Sequence, residues 1–494
     1  MKRYYHNICM IILSAIIFCT LFLSGCEAND PGANNEPSGK SAENIEIIIS
    51  SEDDKGIDAV SETEQEHSDI DFTVVNSPEH AKNIILFIGD GMGFEQISLG
   101  RILKGNDPLS MDAMKNTGYV STHYDNDNKL LVTDSAASAT AIACGVKTKK
   151  YAVGVDKDGN AVRSIMSYAK DAGKSTGLIT TTRVTDATTA AFAAHNTSRS
   201  NEEQTAVDLL HAAPDILMGG GKKNFLADRR KDGADLIAQS QTQGYSLLYN
   251  REEVLNTNAT MLLGLFASDK MPYTVDNDTQ APSIKDMTIK ALDILSQNPE
   301  GFFVMIEGGR IDHACHANDA VTTAYEVMAF DEAVGAALEF AQKNTDTLVI
   351  VTADHETGGL TIGIEKSYSI GFETLLKVQT GSIFENIVPN ADSASGQLDY
   401  SQFVRKQFGI RDLSRSETDA LKTAFSSNDR ATIGNALAAL ITQRSNIKWA
   451  SQDHSGKNVP VMAFGPYAEY FTGYMDNTDI FKIMMEAMGI AGQG

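Results

Sequence analysis

Four short runs, 83–88 (NIILFI), 175–181 (STGLITT), 301–306 (GFFVMI) and 347–352 (TLVIVT), are built almost wholly from apolar and β-branched residues. A strand with one face in water alternates polar and apolar side chains. A strand apolar at nearly every position needs cover on both faces, which a parallel sheet flanked by helices provides. Helical patterns lie between the runs, at 164–173 and 323–342. Strand then helix, repeated, predicts a doubly wound α/β fold with a mainly parallel central sheet and helices on both faces.

A chain of 494 residues with 42% hydrophobic content can bury a large core, as one domain or two. Its formal net charge is −24, from 41 Lys and Arg against 65 Asp and Glu, and no basic stripe exists to displace phosphate counterions. A nucleic-acid-binding surface is therefore not expected. An anionic substrate would need local positive charge, which metal ions can supply.

The sequence divides into regions of different texture. Lys2 and Arg3, an apolar run from Ile8 to Leu23, and then Leu23-Ser-Gly-Cys26 make up residues 1–26. The run is short for a membrane span and has the layout of a secretory signal. Its end resembles a bacterial lipoprotein signal, in which Cys26 becomes a lipidated N-terminus that anchors the protein to a membrane; an ordinary cleaved signal is the alternative. Residues 27–77 are acidic and rich in Ser, Asn, Gly and Glu, with only Lys40 and Lys55 as basic residues, and read as a flexible tether. The α/β pattern occupies 78–494. Between about 367 and 447 the rhythm breaks into a polar, helical stretch, with Ser414 and Glu417 spaced as a capping box; this reads as an insertion, or cap, between core strands. Cys144 and Cys315, the two cysteines beyond the leader, are expected to be free thiols.

Chemistry-bearing residues cluster where the predicted strands end. Asp90 follows the first run, and open α/β sheets bind ligands at the carboxyl ends of their strands. Asp134 and Ser135 open a small-residue helix that Gly145 would terminate. A serine there sits where backbone amides and the helix dipole favour an alkoxide and an anionic substrate, although an N-cap role explains the same pair. Glu307, Asp312 and His316 follow the third run. The i, i+4 spacing of Asp312 and His316 puts both on one face of a helix starting near Arg310, suited to a shared divalent cation, while His313 points elsewhere. Asp354 and His355 follow the fourth run, and His454 is a candidate distant ligand. Arg199, downstream of Asp186 and Thr188, carries a fork that could clamp two phosphoryl oxygens or pair with a structural carboxylate.

From about Asn83 to Ala487 these motifs, in this order, resemble the alkaline phosphatases. The resemblance implies hydrolysis of phosphate monoesters to alcohol and inorganic phosphate through a phosphoserine on Ser135, with Arg199 on the non-bridging oxygens. It implies two zinc ions and one magnesium ion. Asp90, Asp354 and His355 would hold the zinc that activates Ser135; Asp312, His316 and His454 would hold the zinc beside the leaving oxygen. Asp90, Thr188 and Glu307 would hold magnesium, with Asp186 arranging its water and His313 standing behind the ligands. It also implies a homodimer. In one respect the chain departs: His313 stands where some members carry lysine and others histidine, while Asp186 stands where some of those histidine-bearing members carry histidine. The third metal is therefore not fixed by the resemblance. A sulfatase or phosphodiesterase on the same fold is the nearest rival, but sulfatases carry Cys-x-Pro-x-Arg or Ser-x-Pro-x-Arg, and 134–138 (DSAAS) has neither Pro nor Arg. A non-catalytic lipoprotein that captures phosphate or metal would need no nucleophile, and Ser135 argues against it.

Overall fold

The computed structural model describes residues 79–125, 132–363, 370–392 and 398–490. The leader, Cys26 and the tether expected over 1–77 lie outside the described residues.

Fourteen strands run through the described chain: β1 (Asn83–Ile88), β2 (Asn116–Ser121), β3 (Ser175–Arg183), β4 (Ile216–Gly220), β5 (Ser246–Leu248), β6 (Leu262–Leu265), β7 (Phe302–Glu307), β8 (Thr347–Thr352), β9 (Glu356–Thr357), β10 (Thr361–Ile362), β11 (Ile447–Lys448), β12 (His454–Ser455), β13 (Val459–Phe464) and β14 (Gly473–Asp476). Ten of them form one sheet in the order β14-β2-β13-β8-β1-β7-β3-β4-β6-β5. Every neighbouring pair in it is parallel except those that β13 makes with β8 and β2. The four apolar runs are β1, β3, β7 and β8, and they stand side by side in the middle of the sheet.

Their apolar character follows from cover on two sides. All six residues of β1, β7 and β8 are buried. Successive side chains on a strand point to opposite faces. Phe302 meets Phe340 of the long helix Ala320–Lys343, whereas Phe303 stacks on Phe192 from the other side. Phe87, on the Phe302 side, packs edge-on against Phe330 of the same long helix.

The helices that matter for the site are α1 (Ser135–Cys144), α2 (Arg310–His316) and α3 (Asn477–Ala487). Gly145 ends α1 in the left-handed region, φ 71°, and a Cβ there would run into the Phe481 ring of α3, so α1 and α3 pack without a side chain between them at that point. Among the described residues no helix is long and apolar enough to cross a membrane.

Between β10 and β11 the chain is helical, at Phe372–Val378, Tyr400–Phe408, Arg415–Ser426 and Arg430–Arg444. Ser414 and Glu417 form the capping box that starts the third of these. These helices share a second apolar cluster, including Leu375, Phe408, Leu421 and Leu437, which also takes Leu99 and Val321 from the sheet-covering helices. Cys144 and Cys315 are free and buried.

Candidate metal centre

Because β8, β1, β7 and β3 are adjacent and parallel, the segments that leave their carboxyl ends converge. Asp90 leaves β1, Glu307 ends β7, Asp354 and His355 leave β8, and Asp186 and Thr188 follow β3. Gly91 permits this crowding: its φ is +73°, and a Cβ would lie 2.9 Å from Thr357 Oγ1 and 3.0 Å from Asp312 Oδ1.

Two donor sets result, Asp90 with Asp354 and His355, and Asp312 with His316 and His454; within each, one ligand atom per residue lies within 4.8 Å of the others. Proton bookkeeping shows what each set offers. In the first, Thr357 Oγ1 donates to Asp312 Oδ1 at 2.6 Å, so it can only accept from His355 Nδ1, 3.2 Å away. The lone pair of His355 is therefore on Nε2, which faces Ser135 Oγ (3.2 Å), Asp354 Oδ2 (3.4 Å) and Asp90 Oδ1 (3.5 Å). In the second set, His454 Nδ1 donates to the Thr133 carbonyl at 3.0 Å and His316 Nδ1 to the Gln452 carbonyl. Their Nε2 atoms then meet at 3.1 Å, with Asp312 Oδ2 3.2 Å from His316 Nε2 and Asp312 Oδ1 3.7 Å from His454 Nε2. Acceptors that close together need a cation or a proton among them.

Buried oxygens make the same point. Six buried side-chain oxygens have no hydrogen-bonding partner among the described residues, and four of them are Asp90 Oδ1, Asp354 Oδ2, Thr188 Oγ1 and Glu307 Oε1. A buried polar group left so costs on the order of 1–3 kcal/mol, and all four belong to residues expected to bind metal. The residues present thus fit bound divalent cations.

Burial and neighbouring protein charges hold these groups far from their ordinary titration. Burial, then Asp354, Asp312 and Glu307, pushes the Asp90 carboxyl well above the carboxylate range. Burial, then Asp312, raises Asp354 to about 7, and burial raises Glu307 to about 8. Burial lowers His316, but its bond to Asp312 overrides this and lifts it to about 9. Burial, then the Arg310 charge, lowers His313 to about 4. Cations would reverse the acid shifts, because they favour the carboxylate form.

Asp134 is the N-cap of α1 and accepts from Ala137 N at 3.3 Å, while Ser135 is the first helical residue. The capping role therefore falls to Asp134 and leaves the Ser135 hydroxyl for the site. Arg199 pairs with Asp134 Oδ2 at 3.2 Å and Asp186 Oδ1 at 2.9 Å, and its side chain remains 26% exposed. Both sequence readings of Arg199 are thus compatible with its place: two carboxylates aim it and one edge stays open. Asp186 also binds Arg183 Nη2 (2.7 Å), Thr182 Oγ1 (3.1 Å) and Ala187 N (2.9 Å), so its oxygens are fully engaged. His313 lies off the ligand sets, with Nδ1 3.0 Å from Arg310 Nη1.

Thr357 was not singled out by its sequence, yet its one hydroxyl touches both donor sets. Its place two residues beyond His355, in the short strand that follows, is what brings it there. Arg183, tied to Asp186, Glu202 and Asp269, is another residue that the motifs did not reveal.

Residues 81–490 match the family described as alkaline phosphatase. The chain is similar to alkaline phosphatase 4 of Bacillus subtilis (strain 168), 39% identical over 420 residues, which span 82% of this chain and 88% of the relative. The crystal structure of Thermus thermophilus alkaline phosphatase superposes with a TM-score of 0.75 at 31% identity, covering 84% of this chain and 93% of that one. A variant of the alkaline phosphatase from the Antarctic bacterium TAB5, with Mg bound in its M3 site, superposes with a TM-score of 0.62 at 29% identity, covering 83% and 99%.

Proposed function

The chain belongs to the alkaline phosphatase family and hydrolyses phosphate monoesters to alcohol and inorganic phosphate with the help of metal cofactors; on that premise we propose that Ser135 is its nucleophile and assign the metal ligands. The observation that carries the assignment is the 3.2 Å approach of Ser135 Oγ to His355 Nε2, inside a ring of buried acceptors.

Asp90, Asp354 and His355 hold one zinc, and Asp312, His316 and His454 the other; mixed carboxylate and imidazole donors suit that ion. Asp90, Thr188 and Glu307 offer only oxygen, which suits magnesium, with the Asp186 carboxylate behind them. Bound cations supply Lewis acidity, which eases ionisation of a hydroxyl and offsets charge on a departing alkoxide.

The protein side of the reaction follows from the geometry. Ser135 stands at the amino end of α1, where free backbone N–H groups and the helix dipole favour negative charge. Its Oγ attacks the phosphorus in line, the ester oxygen leaves with the alcohol, and a phosphoserine forms. Water then attacks that phosphoserine and releases inorganic phosphate. Arg199, aimed by Asp134 and Asp186, donates to the non-bridging oxygens, whose charge the site must stabilise in both steps. Asp186 would arrange water around the magnesium, and His313, against Arg310, stands behind the ligands.

We further infer export and a lipid anchor at Cys26, supported by the basic start, apolar run and Leu-Ser-Gly-Cys ending of the leader, and a homodimeric assembly, supported by the family resemblance. Acid-quenched labelling with a radioactive phosphate monoester tests the nucleophile: label is expected on the wild-type protein and absent from Ser135→Ala. Label persisting in the variant would reject Ser135.

A further inference from the structure

From the Lys147 ammonium a chain of hydrogen bonds runs to the site, and each link fixes the direction of the next. Lys147 Nζ reaches the His123 carbonyl (2.7 Å), Asn477 Oδ1 (2.6 Å) and Asp476 Oδ2 (2.9 Å). An ammonium only donates, so the Asn477 amide must turn its oxygen to Lys147 and its NH2 to Ser138 Oγ, 2.9 Å away. Ser138, accepting there, has its own proton for the Asp354 carbonyl at 2.6 Å. Asn477, Ser138 and Asp354 are all buried, so bulk water does not compete for the two links that join them.

That carbonyl belongs to the peptide joining Asp354 to His355. The other end of the same peptide, the His355 N–H, donates to Asp354 Oδ1 at 2.9 Å. Ser135 and Ser138 lie three residues apart on one face of α1, and reach His355 Nε2 and the Asp354 carbonyl respectively. The helix that carries the hydroxyl is thus gauged against the loop that carries two acceptors at two points.

We propose that Asn477, at the amino end of α3, is a positioning residue for phosphoryl transfer: it sets the direction of the Ser138 hydroxyl, which keeps Ser135 in register with Asp354 and His355. The proposal rests on the reading of Ser135 as nucleophile.

Polarity makes it testable without a change of shape. Asn477→Asp is nearly isosteric and pairs well with Lys147, but the new carboxylate only accepts. The Ser138 proton then turns to it, and the Asp354 carbonyl loses its donor. Asn477→Ala, though a larger truncation, leaves Ser138 free to keep that carbonyl. Asn477→Asp should lower kcat and the rate of serine phosphorylation roughly tenfold or more, with KM, bound metal and Tm nearly unchanged, and should be slower than Asn477→Ala. A role in packing alone gives the opposite order. Wild-type kcat in Asn477→Asp, or Asn477→Ala as the slower of the two, overturns the proposal. Should Asn477→Asp fail to fold, Ser138→Thr, which keeps the hydroxyl, must outperform Ser138→Ala in kcat; equal rates overturn it as well. Activity retained by Ser135→Ala would instead reject the nucleophile, so the two failures are distinguishable.

Discussion

The carboxyl edge of the central sheet and the helical region between β10 and β11 treat charge in opposite ways. At the sheet edge, acids are buried beside other acids, and four oxygens of the site have no hydrogen-bonding partner among the described residues. Between β10 and β11, by contrast, a buried acid cluster gives way to pairing near the surface: Arg444 grips Glu417 with two bonds of 2.6 Å, and Ser414 and Glu417 close a capping box. Helix caps hold these helices, and the apolar cluster they share with Leu99 and Val321 fixes them to the helices that cover the sheet. The sheet edge departs from what stability alone would choose, and such departures concentrate where chemistry is done.

The contrast breaks first at Ser135. Replacing it with alanine should lower monoester turnover by at least about a thousandfold, because the covalent route is lost, while bound metal and Tm stay near wild type. Atomic absorption and thermal unfolding on the same sample check both halves.

Chelation should come next. If the sheet edge depends on cations, removing them abolishes turnover and lowers Tm; a hundredfold excess of metal over its Kd corresponds to about 2.7 kcal/mol of stability. Calorimetry with and without chelator should show the loss. An unchanged Tm would mean that the buried acids are satisfied by the protein after all.

Glu307→Gln sharpens the same point with a smaller effect. Burial raises the metal-free Glu307 carboxyl to about 8, which costs stability at every pH above its unfolded value near 4.5; glutamine has no such cost, so at neutral pH the metal-free variant should melt higher than the metal-free wild type. The loaded variant should gain less from magnesium, which a titration followed by Tm would show.

The smallest effect is expected among the helices between β10 and β11. Bonds from Arg444 hold the Glu417 carboxyl down at about 2. A carboxyl whose folded value is depressed stabilises above its unfolded value, near 4.5, and this contribution is lost as pH falls toward about 2. Glu417→Gln should flatten that acid limb by about 1 kcal/mol or less, the range for a pair near the surface, and leave turnover at neutral pH unchanged. Urea melts at several pH values would measure it.

Much of this was legible before any coordinates. Apolar runs on both faces identified β1, β3, β7 and β8, because full burial leaves no polar alternation. Acids and histidines at the ends of those runs identified the site, because parallel strands bring successive carboxyl ends to one edge. Strands such as β4 and β6 carry glycine or few residues, and β13 contains Pro460, so their sequences give a weaker signal. The links that orient the ligands were less visible still. Thr357, Asn477 and the carbonyls of Thr133 and Gln452 act through distances set by the whole fold, and residue type does not announce them.

The most direct test is anomalous diffraction at the zinc edge from crystals of the metal-loaded protein. Two peaks are predicted, one among Asp90, Asp354 and His355 with Ser135 Oγ beside it, and one among Asp312, His316 and His454. Peaks elsewhere, or none in either donor set, would contradict the account.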